Sequence, residues 1–378
     1  MAGKVLGLLW ILAHSEDCST EIMDQALNAH IKILDYSCAA DRDQQKSLWL
    51  EQCLAELKSD TWVLPAIRMM RDIFTMYIEA PHGSSTSHLN YYYRQDMIQN
   101  VDFQSNLTAL LTTNLECYMS KVRKHCGVNP GATPEDVVLD GRTNHEQQVN
   151  DRLTFLKFVL EDGKLYLSLS HAIKIWTCLA KKAVFPSDRE ACFKWFSKVM
   201  GEDPDLEPPG YKQFFEDHVM NLDPALLTEG GMKCFYRAFK LVNLNSHKLI
   251  SQRHKFVTSN LSMSGIDYIW KVILCGADEV VFKAIELMKD VHTHLSPTLL
   301  TRQVAIHIDF IRKCFEHLKT SFEVLKVRLE APEWHVHVTQ MVRCLTLFEN
   351  TSPNATTLTK ARGRFCPTES RRLGNTSC

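Results

Sequence analysis

The chain has 378 residues, of which 45% are apolar and 23% charged, the balance of a folded globular protein. Its 43 Lys and Arg stand against 44 Asp and Glu, and a formal charge of −1 supplies no field for nucleic acid or an anionic membrane surface. Thirteen cysteines with no C-x-x-C pair speak against a zinc ribbon or a secreted disulfide framework and for a reducing, cytoplasmic setting.

Lys4 and the apolar run 5–13 have the outline of a signal peptide. Asn106, Asn260, Asn354 and Asn375 open glycosylation sequons, which chance also supplies. The preferred reading is an ordinary helix, with Met1 lying where a longer chain would run through. No apolar run reaches the ~18 residues that span a bilayer.

Helical periodicity then recurs almost everywhere. Leu50, Cys53, Leu54 and Leu57 form one stripe, and Val63, Ile67, Met70, Phe74 and Tyr77 the next. Val149, Leu153, Leu156 and Leu160 repeat it, as do Phe310, Cys314, Leu318, Phe322 and Leu325. Residues 80–90 and 127–141 predict exposed loops of the kind where partners dock. Ser187 and Glu190 have the spacing of a capping box, ahead of the stripe Cys192, Trp195, Phe196 and Val199. Pro204, Pro208 and Pro209 end that helix, and Thr228 caps another after the Asp223-Pro224 turn. In all, roughly twelve to fourteen helices of ~10–20 residues are predicted, with no strand hairpin. Their pairing at roughly 40-residue intervals suits a HEAT or armadillo array, with a compact bundle as the alternative. The predicted fold is all-α, an irregular armadillo/HEAT-like helical solenoid over residues 1–350. Residues 351–378 predict a disordered basic tail, since 360–378 carries five Lys or Arg and one Glu.

Several long phrases carry a resemblance: IMDQALNAHIKILDYSCAADRDQQK, DREACFKWFSKVMGEDPDLEPP and LTEGGMKCFYRAFKLVN. In this order they resemble the long N-terminal region of the fat facets-like ubiquitin-specific proteases. The resemblance starts near Lys4 and stops near Asn350. It implies a piece of the helical-repeat region that precedes the catalytic domain in these large cysteine deubiquitinases. Such enzymes remove ubiquitin from proteins and oppose proteasomal degradation. The implied role is a non-catalytic scaffold that recruits ubiquitinated substrates or regulators, with the loop at His82–His88 and a concave ridge as contact surfaces.

Against that family, Asn114-Leu115-Glu116-Cys117-Tyr118 imitates the nucleophile box, in which Asn-Leu-Gly leads through two small residues to Cys-Tyr. Here the Gly and the two spacer residues are missing, and Leu107, Leu110, Leu111, Asn114 and Tyr118 mark a continuous helix. No glycine-flanked His box follows. Cys117 is therefore assigned to packing, and no catalytic residue is expected. The pairs His292/His294 and His335/His337 lie in helical contexts, where an i, i+2 pair does not share a face, so no metal site is expected. Residues 107–111 match L-x-x-L-L but suit core packing. The acidic run Glu202, Asp203, Asp205, Glu207 lacks the Gly and terminal Glu of an EF-hand loop. No phosphate-cradling glycine loop occurs, and no cofactor is expected. Two alternatives remain: a thiol hydrolase of ubiquitin conjugates using an unrecognised Cys/His pair, or a stand-alone helical adaptor.

Overall fold

A computed structural model describes residues 2–15, 17–37, 39–76, 86–201, 203–208, 210–252, 255–327 and 334–351. Among them the chain forms α1 (Ala2–Ala13), α2 (Thr20–Asp35), α3 (Ala39–Ser59), α4 (Val63–Thr75), α5 (Thr86–Ser105), α6 (Leu107–Val128), α7 (His145–Gly163) and α8 (Leu169–Trp176). There follow α9 (Pro186–Val199), α10 (Gly210–Phe214), α11 (Glu229–Asn245), α12 (Ile266–Cys275), α13 (Asp278–Thr293), α14 (Pro297–Leu300), α15 (Gln303–Val327) and α16 (Trp334–Thr351). The fold is all-α, as expected. The helices outnumber the expectation because α10 and α14, at 5 and 4 residues, are too short to show a period.

Two compact units divide the chain. One holds Met1–Leu222 and Lys233–Leu241, the other Asp223–Met232 and Val242–Cys378. In the first, α2, α4, α7 and α9 pack in succession as one row, and α3, α6, α8 and α10 as a second. Contacts of α3 with α4 and of α6 with α7 join the rows, and α5 fills in against α4, α6 and α7. This stacking of helix on helix in ranks is that of a solenoid. The sequence stripes face inward as predicted: Val63, Ile67, Met70 and Phe74 are buried, as are Val149, Leu153, Leu156 and Leu160. Trp176 anchors an aromatic knot, with ring centroids 5.7, 5.4 and 5.5 Å from Phe193, Phe196 and Phe214. Two helices run on as π-turns in this unit, at Thr177–Lys181 and Phe215–Val219.

In the second unit α12 packs on α13, and α16 lies against α12, α13 and α15. Here a strand pair corrects the sequence reading. β1 (Leu249–Gln252) and β2 (Lys255–Thr258) form an antiparallel ladder pairing Leu249 with Thr258. Neither strand holds the Asn-Gly or Asp-Gly signal that marks a hairpin. The ladder is fixed instead through Thr258, whose N–H donates to His294 O at 2.7 Å and whose hydroxyl donates to Val291 O at 2.9 Å. A second correction concerns α15: Phe310 and Cys314 are buried, but Phe322 is half exposed and Ser321 takes the inward place.

The capping box is also corrected. Pro186 occupies the first turn of α9, so the N-cap is Phe185 and Asp188 stands third. Ser187 lies inside the helix, its Oγ buried without a hydrogen bond. Thr228 caps α11 as predicted, accepting from Gly231 N at 3.0 Å. The loop at 82–88 lies outside the described residues up to Ser85, with α5 starting at Thr86. Tyr77 and the tail beyond Thr351 also lie outside them.

Candidate functional site

The residues singled out in the sequence do not converge. Cys117 sits on the solvent face of α6, so it neither packs in the core nor lies at a helix start. His292 turns its Nδ1 to Met288 O at 2.8 Å, while His294 Nδ1 faces Asp290 at 3.4 Å. His337 Nδ1 lies 3.2 Å from Gln340 Oε1 on α16 itself. Among the described residues no three His, Cys, Asp or Glu side chains are grouped so as to hold a metal ion. Leu107 and Leu111 are buried in the core. In the acidic run Asp205 pairs with Lys157 at 2.9 Å, and the backbone around it is tied down by Leu167 N donating to Asp205 O at 2.6 Å. Helix α6 extends to Val128, so the exposed loop begins only at Asn129.

What the first unit does bring together is a buried polar axis across α6, α7 and α9. Tyr118 Oη lies 3.0 Å from His145 Nδ1, and His145 Nε2 lies 2.6 Å from Asp188 Oδ1. The other carboxylate oxygen accepts from Val184 N and Phe185 N, each at 2.9 Å, and so caps α9. All three side chains are buried. Both ring nitrogens of His145 are thus committed to oxygen partners, which leaves none to act on a thiol.

Tyr118 also lines a cleft of about 770 Å³, within the usual ~300–1,000 Å³ of ligand pockets. Its walls come from the start of α2, residues 60–64, α6, the loop before α7 and α7 itself. Asp60 and Trp62 both have positive φ, 57° and 49°, a conformation costly for a bulky residue and frequent at binding sites. Arg142 from the facing loop lays its guanidinium 4.2 Å over the Trp62 ring and donates to Ala13 O at 3.0 Å.

Behind them lies Arg152, only 4% exposed. Its Nε donates to Asn114 Oδ1 at 2.8 Å, its Nη1 to Gln148 O at 3.0 Å and to Gln148 Oε1, and the cation sits 4.5 Å over the Tyr118 ring. Burial pulls it down to about 10, against the opposing pull of Tyr118 and nearby carboxylates, so it stays charged at neutral pH. The two acids of the cleft are already engaged. Asp60 accepts from Asn114 Nδ2 at 2.7 Å and from Lys121. Asp140 accepts from Arg142 N at 2.9 Å, Thr143 N at 2.8 Å, the Thr143 hydroxyl and Gln148 Nε2. Asn114 and Tyr118 figure in the sequence only as helix positions within the imitation nucleophile box, and Asp60, Asp140 and Arg152 carry no sequence signal, because these residues meet only through tertiary packing.

The buried thiols are set for inertness. Burial pushes Cys53 and Cys192 far above the usual thiol range, Cys178, Cys234 and Cys314 to about 12 and Cys344 to about 11.

A family model described as UBP24/USP9X/USP9Y ARM repeat matches residues 1–243. The chain is 47% identical over 330 residues to ubiquitin carboxyl-terminal hydrolase 9X of Mus musculus, a match covering 86% of this chain and 13% of that protein. It is 46% identical over 323 residues to the probable ubiquitin carboxyl-terminal hydrolase FAF of Drosophila melanogaster, 85% of this chain and 12% of the relative. It is 28% identical over 353 residues to human ubiquitin carboxyl-terminal hydrolase 24, again 86% of this chain and 13% of the relative. The aligned part is thus a small fraction of each of these proteins.

Proposed function

The chain belongs to the UBP24/USP9X/USP9Y ARM repeat family, and from that premise we propose that it is a non-catalytic, partner-binding scaffold segment of a cysteine deubiquitinase. Its fold is the irregular armadillo/HEAT-like solenoid of that family, and its relatives carry the name of ubiquitin carboxyl-terminal hydrolases. In this reading it recruits ubiquitinated substrates or regulators in the cytoplasm, without cofactor, nucleic acid or membrane.

One observation carries the reading. The cleft has the size of a binding site, yet its lining holds a single thiol, Cys18, and no histidine. A cysteine nucleophile needs an adjacent base and an orienting third group. The one buried histidine–carboxylate pair among the described residues, His145 with Asp188, is closed off by Tyr118 instead of a thiol. The cleft thus offers shape and polarity for binding, with no thiol–histidine pair in its lining.

The test is reaction of the purified, folded chain with ubiquitin bearing a thiol-reactive C-terminal electrophile, followed by intact mass. The expected result is no adduct. A stoichiometric adduct on one cysteine establishes the thiol-hydrolase alternative and overturns the scaffold.

A further inference from the structure

The cleft of the first unit contains a buried cation that no carboxylate of the protein touches, although Asp60, Asp140 and Asp151 act on it from farther off. Arg152 is 4% exposed, and its Nε and Nη1 meet only neutral oxygens. Among the described residues its Nη2 has no hydrogen-bond partner, and no carboxylate stands within ion-pairing distance of the guanidinium. A buried cation held by amides and a π face is expensive unless an anion completes it. The cleft's own acids reach it only at a distance, through Asn114 and Gln148, since Asp60 binds Asn114 and Lys121 while Asp140 binds its own loop and Gln148.

We propose that this cleft takes the side-chain carboxylate of an aspartate or glutamate presented by an acidic peptide segment of a partner protein. The proposal rests on the binding reading above and adds the chemistry of the partner. Three features select that group. Charge comes first: Asp60 and Asp140 flank the cleft, so a doubly charged phosphate meets repulsion where a single carboxylate finds balance. Donor type comes second. Chain-end carboxylates are captured by nests of free backbone N–H groups, but the N–H groups of Arg142 and Thr143 are spent on Asp140. Side-chain guanidinium recognition is the mode used for acidic residues within a segment. Walls come third: Met23, Val63, Leu64 and Leu139 supply apolar surface for the residues beside the acid.

The experiment uses the full chain, fluorescently labelled, on four degenerate hexapeptide pools, all N-acetylated. Three are C-amidated, with a central Glu, Gln or phosphoserine. The fourth has a central Gln and a free C-terminal carboxylate. Retention on the Glu pool should exceed that on the Gln pool by about tenfold or more. Leu139→Glu, at a 38% exposed position of the cleft wall, and Arg152→Gln should each reduce it by about tenfold. Should Arg152→Gln lose its helical circular dichroism, Leu139→Glu alone decides. Equal retention on the Glu and Gln pools leaves a binding cleft and overturns the carboxylate assignment. Preference for phosphoserine or for the free C-terminus, no retention by a folded chain, or Glu retention unchanged in the folded variants overturns it as well.

Discussion

Asp188 is one carboxylate asked to hold three hydrogen bonds, to His145 Nε2 and to the N–H groups of Val184 and Phe185. Its neighbour Ser187 makes none. Replacing Ser187 with Ala therefore changes stability by less than about 0.5 kcal/mol, whereas loss of a true N-cap costs about 1. Asp188→Ala leaves buried donors unpaired and costs about 3–5 kcal/mol. Urea denaturation followed by tryptophan fluorescence separates the two, and a Ser187→Ala loss matching Asp188→Ala would refute the assignment. At this scale the sequence was half legible. The Ser-x-x-Glu spacing suggested one cap, but Pro186 in the first turn moves the helix start back to Phe185. The partnership of Asp188 with His145 spans 43 residues and leaves no local trace.

Helices declared themselves through their 3.6-residue period, which is why the stripes of α4, α7 and α9 were predicted on their buried faces. Where an element is set by tertiary contact, the pattern fails, as with the β1–β2 ladder held by Thr258. The junction of α5 and α7 is another such case. Gly163 resembles a helix-ending glycine, yet the left-handed residue is Lys164, at φ 50°. Gly163 is needed for closeness instead: a Cβ there would stand 2.6 Å from Ile98 Cγ2. Beside it Gln99 donates to Gly163 O at 2.8 Å and Arg94 pairs with Asp162 at 2.6 Å. Gly163→Ala should cost about 1–3 kcal/mol by overpacking. Lys164→Gly should gain up to about 1 kcal/mol by relieving the backbone. Thermal melts of the two variants read opposite signs, and a stabilised Gly163→Ala would dismiss the close approach.

Across the whole molecule, acid should act on both units. Burial draws His30 and His292 down to about 4, aided by the charge of His14 on the first and of Lys313 and His307 on the second. Unfolded histidine titrates near ~6.5, so the unfolded chain binds more protons between these values. The stability that neutral His30 and His292 contribute is complete above pH 6.5 and is lost as pH falls toward 4. For His30, fully buried without a hydrogen bond to its ring, the loss from pH 7 to 5 is about 2 kcal/mol. Asp72, Asp151 and Asp205, raised by burial, work in the opposite sense at lower pH. Melting temperature at pH 7 and 5 should therefore fall for the native chain and fall less for His30→Phe. Equal falls would remove His30 from the account. Class of fold was readable from the sequence because each of the longer helices carries its period; the cleft was not, because its lining comes from five segments far apart along the chain.

The inert cysteines have a use that their chemistry conceals. Cys53, Cys178, Cys192 and Cys234 belong to the first unit, Cys314 and Cys344 to the second, and all six are buried. A thiol reagent reaches each of them only when the helices over it part. The native chain thus carries its own set of clocks, four in one unit and two in the other. Their labelling rates time the breathing of each helix separately, with no foreign probe introduced.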